Sequence, residues 1–193
     1  MSLAPARLAT LAAACLTLAG LAAALAPSAS AEVKKVMLQC EGKLCPLFLP
    51  QLAAPAGWSA DEKASEANKV SVLVPAGSDF HTAAAVIYAR AFFDAEKTTI
   101  QDRVETSNKK WLEIEKGAKI ERLPDIARAK GAAFEVLHYV NPKNAQQKAE
   151  IIAFGEDTDK DGNAYGIQIV LTTTGEAALK KNQAAFMSLV KGY

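Results

Sequence analysis

The sequence predicts an α+β fold, with a mainly antiparallel sheet of about five to six strands flanked by helices as an α/β/α sandwich. Two observations lead to this prediction. Short segments with alternating apolar residues, or rich in β-branched and aromatic residues, occur in runs along the 193-residue chain. Two segments with helical periodicity lie between and after these runs. Strands that cluster in runs favour antiparallel pairing with helices packed on the sheet.

The N-terminus has the three parts of a secretory signal peptide. Arg7 is the basic residue, an apolar segment follows over residues 8–26, and Ala29 and Ala31 form a small-residue cleavage site. We therefore expect residues 1–31 to be removed and the protein to be exported, to the periplasm or the medium. The alternatives are an uncleaved membrane anchor, since the apolar segment approaches the roughly 20 residues that cross a bilayer, or lipid attachment at Cys15.

Length and charge narrow the function classes. Removal of the leader leaves enough residues for one domain with a real core, which we place at 55–193, preceded by an N-terminal strand and connecting segment at 32–54. The whole chain has 22 basic and 21 acidic side chains, and the leader contributes only Arg7. A near-neutral mature chain with interspersed charges argues against nucleic-acid binding and against stable association with a membrane after cleavage.

Two cysteines remain after the leader. Cys40 and Cys45 are expected to form one local disulfide, because an even pair in an oxidising compartment most simply forms a bridge. The alternative is a redox-active or metal-binding pair, but redox dithiols favour two intervening residues at a helix N-terminus and here four intervene.

The sequence predicts mainly strands in the first half of the chain. Predicted strands are 33–40, 70–74 and 84–93, and the last of these contains Val86, Ile87 and Tyr88. Residues 45–57 contain three prolines and are expected to be a connecting segment that lies over the core. Residues 58–69 are a polar stretch without a clear element.

The clearest helix is predicted over residues 99–116. Thr99 and Asp102 form a capping box with Asp in place of Glu, and Gly117 can end the helix. The core-facing stripe consists of Ile100, Val104, Ser107, Trp111 and Ile114. Trp111 is therefore expected to be a packing residue.

Strands return after this helix. Residues 119–126 contain Pro124 and are expected to form an edge strand, and further strands are predicted at 133–140, 147–154 and 165–172. Thr173 and Glu176 have the spacing of a capping box for a terminal helix. Its buried side is expected to contain Leu179, Phe186, Leu189 and Val190.

Three short motifs resemble a known family. Residues 55–58 (PAGW), 70–78 (VSVLVPAGS) and 85–88 (AVIY) are similar to the N-terminal half of small exported bacterial proteins of the PsbP-like α/β/α group. The resemblance extends in element order over residues 55–190. It implies a central antiparallel sheet flanked by helices and an accessory or binding role. It implies no catalytic residue, because the matching positions are core and turn positions.

One loop has the pattern of a calcium site. Asp157, Asp159 and Asp161 alternate, Gly162 follows at the sixth position, and Asn163 adds another oxygen. At the twelfth position, where an EF-hand has a bidentate glutamate, this chain has Gln168. The sequences on both sides of the loop predict strands, so an EF-hand is not expected. The alternatives are calcium capture by a loop between strands and a hairpin turn, in which Asp, Gly and Asn suit the turn geometry.

Two histidines, His81 and His138, are the candidates for acid–base chemistry. Ser78 precedes His81 by three residues, but no nucleophile-elbow pattern surrounds it. His138 is expected to be a partly buried structural residue, and zinc would need further ligands. The favoured interpretation is an exported soluble binding or accessory protein without catalytic chemistry. The alternatives are a hydrolase that uses His81 or His138 and a calcium-dependent domain.

Overall fold

The computed structural model describes residues 32–40, 42–93, 98–128, 131–143, 148–159 and 161–193, with the side chain of Cys40 excepted. The predicted signal peptide lies outside these residues. The strands are β1 (Val33–Cys40), β2 (Lys43–Pro50), β3 (Trp58–Ala60), β4 (Ser71–Pro75), β5 (Ala85–Phe93), β6 (Lys119–Ile126), β7 (Phe134–Val140), β8 (Ala149–Thr158) and β9 (Ala164–Thr173). The helices are α1 (Glu62–Asn68), α2 (Ile100–Ile114) and α3 (Glu176–Gly192).

Seven strands form one antiparallel sheet in the order β3-β4-β5-β9-β8-β7-β6, and β1 and β2 form a separate hairpin. This confirms the predicted α+β class with a sheet flanked by helices. The sheet has more strands than the expected five to six. The additional strand is β3, which is only three residues long.

Both faces of the sheet are covered. On one face α3 contributes Leu179, Phe186, Leu189 and Val190 to the largest core, together with the apolar residues of the central strands. The alternate residues Tyr165, Ile167, Ile169 and Leu171 of β9 point to this face. The hairpin β1-β2 joins the same core through Val33 and Phe48, and the Phe48 ring contacts Phe93 of β5 and Tyr165 of β9. The opposite face is covered by α2 over β7, β8 and β9 and by α1 over β4 and β5.

The start of α2 agrees with the sequence. Oγ1 of Thr99 accepts a hydrogen bond from the backbone N–H of Asp102 at 3.1 Å, and the Asp102 carboxylate accepts one from the Thr99 N–H at 3.1 Å. These bonds satisfy two N–H groups that have no partner within the helix. Gly117 has φ of 91° in the turn that follows α2, where a side chain would be strained.

The start of α3 differs from the sequence prediction. The N-cap is Gly175, and no side chain caps the helix. Thr173 belongs to β9 instead, and its hydroxyl is within hydrogen-bond distance of the carbonyls of Ala149 (3.2 Å) and Gly175 (3.0 Å). The predicted capping box of Thr173 and Glu176 is therefore wrong, because the sheet extends to Thr173 and engages its hydroxyl.

The segment predicted as a connection is strand over Lys43–Pro50. Pro46 lies opposite Met37 in a hairpin of only two strands. A proline, which has no N–H group, is tolerated in a strand whose outer side has no neighbouring strand to bond. The polar stretch that follows contains β3 and α1. Asp61 caps α1 by accepting from the Ala64 N–H at 2.9 Å, and Lys69 ends it in the left-handed conformation with φ of 56°. A helix of seven residues is too short to show a clear periodicity.

The strand β6 lies at the edge of the sheet, as the proline predicted. Its pairing with β7 is regular from Lys119 to Leu123 and shifts before Ile126, and Pro124 lies in this irregular part. No helix in the described part of the chain is both long and apolar enough to cross a membrane.

Candidate functional site

A cleft of about 440 Å³ lies between α2 and the sheet. Its floor is formed by β5, β8 and β9, and its wall by one side of α2. The lining residues that matter for its chemistry are Tyr88, Arg90 and Phe92 of β5, Arg103, Lys110, Trp111 and Ile114 on α2, Glu150 on β8 and Gln168 on β9. A volume of this size is in the range of small-molecule sites.

The floor of the cleft contains an ordered arginine. Alternation along β5 places Tyr88, Arg90 and Phe92 on the α2 side of the sheet. Arg90 lies opposite Gln168 in the register of β5 and β9, and its Nε donates a hydrogen bond to Oε1 of Gln168 at 2.7 Å. Gln168 is only 6% exposed, so this hydrogen bond ties the Nε group of Arg90, an otherwise exposed side chain, to the sheet.

Two guanidinium groups approach the ring of Phe92. The Cζ of Arg90 lies 5.0 Å from the ring centroid and that of Arg103 lies 5.6 Å from it. Arg103 comes this close to the sheet because Gly166 has no side chain. A Cβ at Gly166 would lie 2.4 Å from Cζ of Arg103. This end of the cleft is therefore cationic and aromatic.

A buried carboxylate lies towards the other end. Glu150 is 3% exposed, and its Oε2 accepts a hydrogen bond from Nε1 of Trp111 at 3.1 Å. Its Oε1 lies 2.5 Å from Nζ of Lys148. Trp111 stacks on Tyr139 with 5.5 Å between ring centroids. The sequence prediction of Trp111 as a packing residue is confirmed, and the same residue also lines the cleft.

The tyrosines of this region stay protonated at neutral pH. Burial, with a further contribution from the charge of Glu150, raises the pKa of Tyr88 to about 12. Burial likewise raises the pKa of Tyr139 to about 12, and its hydroxyl donates to Oδ1 of Asn108 at 2.8 Å. Tyr88 thus offers an uncharged hydroxyl group at the floor of the cleft.

The cleft was not predicted from the sequence. A signal was present in β5, where Arg90 interrupts an otherwise apolar alternation between Tyr88 and Phe92. The partners that give this arginine a fixed position, Gln168 and Arg103, come from other elements. No local pattern indicates their proximity.

The loop predicted as a calcium site is organised by its own hydrogen bonds. Oδ1 of Asp159 accepts from the N–H groups of Asp161 and Asn163, each at 2.9 Å. Oδ2 accepts from the Asn163 amide and from the Tyr165 hydroxyl, each at 2.9 Å. The side-chain hydrogen bond from Asn163 is the main reason that the pKa of Asp159 falls to about 2.

The other carboxylates of the loop are not gathered around Asp159. Oδ2 of Asp157 accepts a hydrogen bond from the Tyr193 hydroxyl at 3.2 Å, and Asp161 is exposed. Within the described ranges, no group of three His, Cys, Asp or Glu side chains is placed to hold a metal ion. The geometry matches the hairpin-turn alternative, and calcium binding through Asp157, Asp159, Asp161 and Asn163 stays a prediction.

The two histidines lie apart from each other and from the cleft. His81 is in the turn before β5, where its ring contacts Phe80 edge to face at 5.5 Å. The Ser78 hydroxyl donates to the Pro75 carbonyl at 2.5 Å, which directs it into its own turn. Ser78 and His81 are therefore not brought together as nucleophile and base.

His138 is buried on the α3 face of β7. Its Nδ1 lies 3.7 Å from Oε2 of Glu121 and its Nε2 lies 3.4 Å from Oε2 of Glu176. Because the two carboxylates lie on opposite ring nitrogens, they cannot bind one metal ion together with the imidazole. The position fits the structural role that the sequence favoured.

The two cysteines of the predicted disulfide lie on the two strands of the β1-β2 hairpin, Cys40 in β1 and Cys45 in β2. In the hairpin, Cys40 lies opposite Lys43 and Cys45 lies opposite Leu38, so the cysteines are not directly paired positions. The side chain of Cys40 lies outside the described residues. The Cys40 to Cys45 bridge stays a prediction.

Comparison with known proteins adds no family. No family model matches the chain, and no curated protein is similar enough to match it. The resemblance to the PsbP-like group stays a prediction.

Proposed function

We propose that the protein is an exported binding protein that holds a small molecule in the cleft between α2 and the sheet, without catalytic chemistry of its own. The observation that carries this proposal is the floor of the cleft. Glu150 and Gln168 are polar, almost completely buried and part of the central sheet. Polar groups at such positions cost folding free energy unless they are paired, and an apolar residue would pack there at lower cost.

The shape of the cleft supports binding. Ligand sites are concave, mostly apolar and contain a few fixed polar groups. Here the apolar lining comes from Tyr88, Phe92 and Trp111, and the fixed polar groups are Arg90 and Glu150. Both polar groups are oriented by protein contacts before any ligand arrives, which lowers the entropy cost of binding.

The side chains of the cleft favour binding over acid–base or nucleophilic catalysis. Of the described residues that line it, none is histidine or cysteine. Ser107 lines the cleft, but the raised pKa of Tyr139, a tyrosine of the same region, keeps that hydroxyl protonated and unable to act as a general base at neutral pH. The set of nucleophile, base and orienting group that a hydrolase needs is not assembled at this site.

Binding is tested with two fluorescent probes, the uncharged N-phenyl-1-naphthylamine and the anionic 1-anilinonaphthalene-8-sulfonate. Thr106→Trp places a large side chain at an exposed position that lines the cleft, and Gln101→Trp places the same side chain elsewhere on α2. We expect at least one probe to bind the unmodified protein and Gln101→Trp, and to bind Thr106→Trp at least tenfold more weakly. Equal binding to all three proteins, or no binding of either probe, contradicts the proposal.

The export part of the proposal rests on the three-part leader at residues 1–31. N-terminal sequencing of the protein recovered from the producing cells tests it. A mature chain that begins at Glu32 is expected. A chain that begins at Met1 contradicts export by a cleaved signal peptide.

A further inference from the structure

We infer that the cleft selects organic anions, with the anionic group bound at Arg90 and an apolar body lying against Tyr88, Trp111 and Ile114. This inference rests on the proposed function, because it names the ligand class of the same cleft. The chemistry required is an oxygen anion, such as a carboxylate or phosphate, attached to an aromatic or aliphatic body.

Arg90 is held in position for such a group. Its Nε is occupied by Gln168 at 2.7 Å, and its Cζ lies 5.0 Å from the Phe92 centroid. The hydrogen bond and the ring contact restrict the plane of the guanidinium. The remaining N–H donors are on the two terminal nitrogens, which form the fork that binds carboxylate and phosphate oxygens.

Arg103 adds positive charge at the same place. Its Cζ is 5.6 Å from the centroid of the same ring, and Gly166 leaves it the space to lie there. Arg103 is therefore a second cationic group at the end of the cleft where Arg90 lies.

The other charges that line the cleft do not reverse this preference. The described lining contains four cationic side chains, Arg90, Arg103, Lys110 and Lys148, and three carboxylates, Asp102, Glu115 and Glu150. Asp102 accepts hydrogen bonds from Thr99 in the helix cap and keeps its negative charge, so the described lining has one more cation than it has carboxylates. Glu150 accepts from Trp111 and contacts Lys148, so its charge is balanced within the protein.

The apolar part of the ligand is indicated by Ile114. The sequence placed this residue in the core-facing stripe of α2, which is wrong: Ile114 is 78% exposed and lines the cleft at the end of the helix. Next to it the Trp111 ring is fixed by stacking on Tyr139 and by its bond to Glu150. An apolar body that covers Ile114 and lies against Trp111 gains free energy by removing this surface from water.

The test uses three probes with one naphthalene body: 2-naphthoate, 2-naphthamide and 2-naphthylmethylammonium. Their dissociation constants are measured by calorimetry with the purified protein at constant ionic strength. We expect the carboxylate to bind about threefold to fivefold more tightly than the amide, since an ion pair at an exposed guanidinium is worth up to about a factor of five. Arg90→Gln should remove most of this difference, mainly by weakening binding of the carboxylate. Circular dichroism and the urea midpoint of the variant show separately whether it remains folded.

The control variant is Arg122→Gln. Arg122 is an exposed arginine on β6 that pairs with Asp125 and Glu135 and does not line the cleft. It should keep the full preference for the carboxylate. Equal affinity for carboxylate and amide, tightest binding of the ammonium, or an unchanged preference in Arg90→Gln overturns the inference. If none of the three probes binds, the inference is also overturned. The proposed function is then tested separately by the two fluorescent probes.

Discussion

The indole N–H of Trp111 donates a hydrogen bond to Oε2 of Glu150 at 3.1 Å, and this bond joins α2 to β8 beneath the cleft. The two residues are 39 positions apart in the chain. The contact satisfies one oxygen of a carboxylate that is almost completely buried. It also sets the position of the ring that forms one wall of the cleft.

The first prediction concerns this bond. Trp111→Phe removes the donor but keeps an aromatic ring, and leaves the Glu150 carboxylate buried without it. We expect the free energy of unfolding to fall by about 1–3 kcal/mol. In a Glu150→Leu background the same change should cost clearly less, because no carboxylate remains to be satisfied. Urea denaturation followed by circular dichroism measures both values, and equal costs in the two backgrounds contradict the prediction.

The second prediction compares two glycines in neighbouring strands. At Gly155 a Cβ would lie 2.4 Å from Cε1 of Phe134, whose ring is fully buried. At Gly166 it would meet the end of the Arg103 side chain, which can rotate away. Gly155→Ala should therefore lower the free energy of unfolding by about 1–3 kcal/mol, and Gly166→Ala by less. Urea denaturation measures both free energies of unfolding, and a larger decrease for Gly166→Ala than for Gly155→Ala contradicts the prediction.

The third prediction concerns alkaline pH. Burial raises the pKa of Tyr88, Tyr139 and Tyr165 from 10 to about 12, and burial together with Asp157 raises the pKa of Tyr193 still further. The folded protein keeps phenol protons that the unfolded chain loses near pH 10. The stability from these residues is therefore complete below pH 10 and is lost as the pH rises towards 12.

Ultraviolet absorbance of tyrosinate tests this directly. In the folded protein the signal should stay low past pH 10 and should rise only together with the loss of circular dichroism. The chain in concentrated urea should titrate near pH 10 and serves as the reference. Tyrosinate formation near pH 10, in a protein that keeps the circular dichroism of the folded state, contradicts the raised pKa values of the tyrosines.

The elements that the sequence predicted correctly have local causes. The α2 cap requires only Thr99 and Asp102, three residues apart, and the irregular edge strand follows from Pro124. The capping box at Thr173 was wrong for a non-local reason. Its hydroxyl is within hydrogen-bond distance of the carbonyl of Ala149, which belongs to the neighbouring strand β8. Local spacing cannot show whether the sheet or the helix engages such a side chain.

The cleft could not be predicted because its contacts join distant parts of the chain. Arg90 and Gln168 are 78 positions apart and meet because β5 pairs with β9. These two strands are neighbours in the sheet, although α2 and three other strands separate them in the sequence.

The Asp159 loop could not be interpreted correctly from its composition. Its aspartates suggested a cation site, whereas in the structure the Asp159 carboxylate accepts hydrogen bonds from Asn163 and Tyr165.

Both borders of the seven-stranded sheet are poor templates for another chain. One border is β3, only three residues long, and the other is β6, where the pairing shifts around Pro124. A second molecule can add a strand only to a long, regular row of unpaired backbone groups. The short border and the broken border thus make the two edges of this sheet poor sites for the start of a fibre.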